Sequence, residues 1–204
     1  MALAVATAIA MQFSLPNRHV LSPTFLFPAA ESLLLVVLLS RRGTSRIEGW
    51  SVARRRIILG LVIVMSADNL LAVIELVRDI LNGSEGDTGT VLLATGTAVW
   101  WTNVVAFSLW FWMLDRFGPA ARVSADGSPP SFVFATMQSG ELAPADWRPQ
   151  YLDYLYLAFT NATAFSPTDT MPVTRWAKTL MLAQSTISLV IALMVIARAV
   201  SILK

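Results

Sequence analysis

Two groups of residues have types and spacing that could do chemistry. The first is a polar run set among apolar and aromatic neighbours: Thr160, Asn161, Thr163, Ser166, Thr168 and Asp169. It follows a short aromatic stretch, 151–159, and precedes a long apolar helix expected from Arg175 to about residue 202. Irregular polar backbone at membrane depth is tolerated only where it is buried in protein or lines a wet cavity. The second group lies inside apolar segments: Asp68, Asn69, Asn103, Gln184 and Ser188. A charge at the level of Asp68 is costly in lipid and faces protein or water. Either Ser66, Asn69 or a neighbouring helix holds it, or it stands on an ion or proton path. Asn103, with Trp100, Trp101 and Thr102, needs partners inside a helix bundle. Gln184, Ser188 and Ala192 recur every four residues, a small and weakly polar stripe that suits either close helix contact or a pore lining.

Other chemistry is hard to build. Cysteine is absent and the lone histidine, His19, sits in a polar linker, which removes disulfides, zinc–thiolate sites and a serine–histidine–acid triad. No phosphate-binding glycine loop is present. The expectation is therefore no enzyme, no cofactor and no metal. Net charge is only +2, so nucleic acid is not an expected partner.

The elements that must position these residues are membrane helices. Of 204 residues, 55% are hydrophobic and 14% charged, and mean hydropathy is +0.62. Several runs approach or exceed the span a helix needs to cross lipid. Residues 1–15 suggest a short first span and 26–40 form the second apolar segment, with Glu31 in its first turn, where a carboxylate suits the helix dipole. The loop after it carries Arg41, Arg42, Arg46, Arg54, Arg55 and Arg56 against Glu48, and so should be cytoplasmic. Arg41, Arg42, Arg54, Arg55 and Arg56 also suit anionic lipid headgroups. Residues 57–81 form a third segment and 91–114 a fourth, joined by a glycine-rich acidic turn, 82–89, opposite the arginine loop. Trp110 and Trp112 fit an interfacial aromatic belt. Residues 117–149 are a hydrophilic connection in which 130–137 reads as a short strand or interfacial stretch. The chain thus divides into membrane helices at 1–116, that connection, and a C-terminal part at 150–204.

The C-terminal layout resembles the pore helix, filter loop and inner helix of the voltage-gated-like potassium channel superfamily. With the register fixed on the D-x-x-P-V-T run, Ala164-Phe165-Ser166-Pro167-Thr168-Asp169 falls where that family carries T-V-G-Y-G-D, and Met171, Pro172, Val173, Thr174 and Ala177 continue the match. The likeness covers about 50 residues. It implies a re-entrant pore loop, ion transport and an oligomer around an axis. Inside the loop the chain departs from the family. A potassium filter is a ladder of backbone carbonyls whose glycines reach angles L-residues avoid. Ser166 and Thr168 replace both glycines, and Pro167, with φ near −65°, replaces the aromatic. Selection of potassium by that ladder is not expected. Ser166 to Asp169 also reads as a helix start, with serine as cap and proline first.

The fold class expected is all-α, a polytopic membrane protein of four to six hydrophobic helices with a re-entrant hairpin near the C-terminus. Passive permeation of an ion or small solute through a homo-oligomer in a bacterial plasma membrane is the leading function. The alternatives are a non-conducting scaffold or accessory subunit, and a small proton-coupled carrier using Asp68. One conflict stands. A potassium-channel pore module enters from outside, whereas counting spans from a cytoplasmic arginine loop puts the start of this module inside.

Overall fold

The structure is a computed structural model and describes residues 1–14, 26–40, 52–82, 89–118, 129–138, 147–164, 166 and 169–202. His19, the arginines at 41, 42 and 46, Phe165, Pro167 and Thr168 lie outside the described residues. The helices are α1 (Ala2–Ser14), α2 (Leu26–Ser40), α3 (Val52–Asn82), α4 (Gly89–Leu114), the single turn α5 (Ala135–Gln138), α6 (Tyr151–Ala164) and α7 (Arg175–Ile202). Two three-residue strands, β1 (Phe132–Phe134) and β2 (Thr170–Pro172), pair antiparallel with Phe132 opposite Pro172 and Phe134 opposite Thr170. The segment expected as a strand or interfacial stretch is thus a strand followed by one helical turn.

Helices α3, α4 and α7 are long and apolar enough to cross a membrane. Lipid cannot satisfy backbone N–H and C=O groups, so apolar stretches of this length become helices that bond internally. The chain is a membrane protein built mostly of helix. At 13 residues, about 20 Å, α1 is an apolar helix shorter than the three candidate spans, as is the 15-residue α2. Outward side chains such as Leu70, Leu93, Leu182, Leu193 and Ile196 are exposed, as lipid-facing positions must be.

Local signals set the helix ends. Arg116 takes the left-handed conformation at φ 46° and Gly118 has φ 105°, so the chain turns sharply after α4. A side chain on Gly118 would stand 3.1 Å from the Met113 carbonyl. At α6 the Asp153 carboxylate accepts from the Gln150 backbone N–H at 2.6 Å, the return half of a capping box. Thr174 accepts from the Ala177 N–H at 3.4 Å where α7 begins. The helix start expected at 166–169 runs through Pro167 and Thr168 and so lies outside the described residues; from Thr170 the chain is extended and paired with β1. Asp169 is exposed and accepts from the Thr170 hydroxyl at 3.2 Å.

Contacts fix the directions of the long elements. Gly96 lies against Val195 and Asn103 against Ser188, so α4 and α7 are antiparallel. Asn69 meets Val99 while Ser66 meets Trp110, so α3 and α4 are antiparallel too. The α4 terminus, the two strands and the starts of α3, α6 and α7 therefore share one end of the bundle. Phe132 anchors that end, with ring centroids 5.2 Å from Phe111, 5.7 Å from Trp176 and 6.3 Å from Tyr154.

Candidate functional site

Helix α4 carries polar residues on two sides, and each side builds a separate buried site. Towards α6 and α7, the Asn103 amide donates to the Ser188 hydroxyl at 2.9 Å. The Asn161 amide donates to Gln184 Oε1 at 2.8 Å and to the Met181 carbonyl at 3.0 Å. Gln184 in turn donates to the Ala158 carbonyl at 2.8 Å, and Ser185 donates to Asn161 Oδ1 at 3.1 Å. The every-fourth-residue stripe on α7 is therefore an inter-helix seam. Gln184 and Ser188 are buried and bonded across to neighbouring helices. In lipid such bonds are worth about 0.6 kcal/mol on average, so the seam fixes register more than it adds stability.

The second side faces α1 and α3. Gln12 donates its amide N–H to Asp68 Oδ2 at 3.0 Å, and Asn69 donates to the Val99 carbonyl at 2.8 Å. The holder of Asp68 is thus a glutamine from the first helix. Ser66 bonds the Val62 carbonyl and accepts from Trp110 Nε1. Gln12, Asp68, Asn69 and Thr102 line one narrow crevice with no room for a water molecule. Gln12 Oε1 and Thr102 Oγ1 are buried there with no hydrogen-bond partner, each a penalty of about 1–3 kcal/mol.

The residues of the polar run, the elbow between α6 and α7, divide. Thr160 and Asn161 are buried, whereas Thr163, Ser166 and Asp169 are exposed. Thr160 and Thr163 hydroxyls donate back to carbonyls of their own helix, Tyr156 and Phe159 among them. Asn161 contacts Gln184, which is nine residues or about 14 Å into α7. With α6 only 14 residues long, its far end lies about halfway down α7, and residues 170–172 are back at the strand end.

Asp115 and Tyr151 were not visible as functional in the sequence, whereas Trp100 and Trp101 were expected to find partners inside the bundle. Asp115 is wholly buried and accepts from the Tyr154 hydroxyl at 2.6 Å and the Ser131 N–H at 2.7 Å. Glu31 is also wholly buried, at the sixth position of α2, past its first turn. Trp101 donates to the Thr7 hydroxyl at 3.0 Å, and Trp100 stacks edge-on with Phe159. Trp110, read as interfacial, donates to Ser66 inside the bundle. Tyr151, outside the three candidate spans, shares a 2.8 Å hydrogen bond with Ser108, and burial pushes its phenol up to about 12. Among the described residues, no group of three or more histidine, cysteine, aspartate or glutamate side chains could hold a metal ion.

Comparison with protein-family models, with curated proteins and with solved structures finds no match to this chain.

Proposed function

We propose that α6, the elbow and α7 form a re-entrant, channel-like module, and that several copies of the chain assemble around an axis to pass an ion or small solute passively. One observation carries this reading. Helices α6 and α7 start at the same end, α6 stops about halfway along α7, and the chain comes back to that end before α7 begins. The potassium-channel likeness of 164–177 points the same way. One such module cannot enclose a pore, hence the oligomer. The strand end also carries Arg54, Arg55 and Arg56, and this positive charge supports the reading that it faces the cytoplasm, in a bacterial plasma membrane. The module then opens inward, inverted relative to potassium channels. The arginines suit anionic headgroups of that leaflet.

Permeation through reconstituted liposomes tests the proposal. The expected result is flux without a strong preference for potassium over sodium, since Ser166 and Thr168 stand at the glycine positions. Asp169→Asn should lower cation flux at low ionic strength, with the deficit shrinking in high salt. A reversal potential that tracks potassium alone would refute the filter argument. No flux from a verified oligomer would overturn permeation altogether.

That last result would leave a non-conducting scaffold. The seam supports this second reading, because Gln184 and Ser188 spend their polar groups on Asn161 and Asn103 and present none to a lumen. A proton-coupled carrier using Asp68 finds less support, since the crevice beside that carboxylate has no room for water.

A further inference from the structure

The Gln12–Asp68–Thr102 crevice plays no part in the module proposed above, and it combines features that hydrogen bonding leaves unexplained. Gln12 turns its N–H to Asp68, which leaves Oε1 buried and unpartnered. Reversing that amide would set its oxygen against the carboxylate, so Asp68 itself fixes the orientation. The Thr102 hydroxyl is the second orphan. Hydroxyls within helices ordinarily bond a carbonyl one turn back. In α4, Thr97 donates to the Leu93 carbonyl at 2.7 Å and Ser108 to the Val105 carbonyl at 2.7 Å. Thr102 departs from that habit while lining the same crevice as Asp68. Residues bearing two unpartnered neutral oxygens and a carboxylate thus line one dry gap. Oxygen lone pairs so placed call for a cation.

We propose that this crevice binds one dehydrated monovalent cation of the sodium class, through Asp68, Gln12 Oε1 and the Thr102 hydroxyl. Charge and space select the class. A single carboxylate balances one positive charge. Calcium takes six to eight oxygens and magnesium keeps several waters, and neither condition is met where water cannot enter. The same lack of space favours a small bare ion over potassium. The ion would tie the short α1 to α3 and α4.

The experiment uses the full chain in detergent, with sodium, lithium, potassium and choline chlorides compared at equal ionic strength. Sodium and lithium should raise the unfolding temperature saturably, and equilibrium dialysis with radioactive sodium should find a single ion per chain. Thr102→Val should lose both the thermal shift and the bound ion. It removes an unpartnered hydroxyl, so its stability without sodium should equal or exceed that of the native chain. Ser188→Ala, on the other side of α4, should retain the sodium response. Identical unfolding temperatures in all four salts, with no sodium bound, would overturn the proposal. So would a stability that follows pH alone, which would make Asp68 a proton site. The readouts are bound ion and stability, so the outcome is independent of whether the C-terminal module conducts.

Discussion

Asp115 joins three segments through two short bonds, one from the Tyr154 hydroxyl and one from the Ser131 N–H. Both are charge-assisted, the kind worth about 1.5–3 kcal/mol each. Tyr154→Phe keeps the ring against Phe132 and Phe134 but removes one donor. It should lower stability by about that amount, read as the shift in thermal unfolding of the purified protein. Nothing in the sequence singles out Asp115, because a buried carboxylate leaves no periodic trace and its tyrosine lies 39 positions away. Gln12 was missed for the same reason. Gln184, Ser188, Asn103 and Asp68 were legible, since a polar group inside an apolar run is conspicuous. Which partner each would find was not, because that depends on helix rotation and depth.

Helices α4 and α7 pack directly against each other at Gly96. A methyl group there would come within 2.6 Å of a Val195 methyl, and valine is too stiff at its first torsion to swing aside. Gly96→Ala should therefore destabilise the bundle by about 1–3 kcal/mol, and Val195→Ala should restore much of the loss when combined with it. The measurement is a double-mutant cycle on thermal unfolding, and additive effects would mean the helices shift apart freely. Apolar run length foretold α3, α4 and α7 within a few residues. The strand pairing between residues 132 and 172 was not legible, because local propensity does not encode a partner so distant in the chain. Pro172 is tolerated because the strand pairs on one side only.

For the whole molecule, the arrangement of ends is the decisive result. Arg54, Arg55, Arg56, Arg116, Arg148, Arg175 and Lys178 all belong to the strand end by their positions at the starts and ends of its elements. The opposite end has Arg78 and Arg198 among the described residues. The chain contains no native cysteine, so single cysteines report sidedness cleanly. With an impermeant thiol reagent on intact cells, Asn82→Cys should label and Gln138→Cys should be protected. The reverse pattern would turn the molecule over and restore the potassium-channel orientation. Composition sufficed to read the arginine bias. The conflict over orientation turns on two distances along the bundle: α6 ends about halfway down α7, and the two helices begin at the same end.

The seam also has a consequence for the order of synthesis. Asn103 and Asn161 leave the ribosome well before Gln184 and Ser188, the residues that accept their hydrogen bonds. Until α7 is made, both amides wait for partners that do not yet exist. The bundle can therefore close only as its last helix arrives, and a chain stalled before that point offers quality-control machinery two unsatisfied amides to recognise.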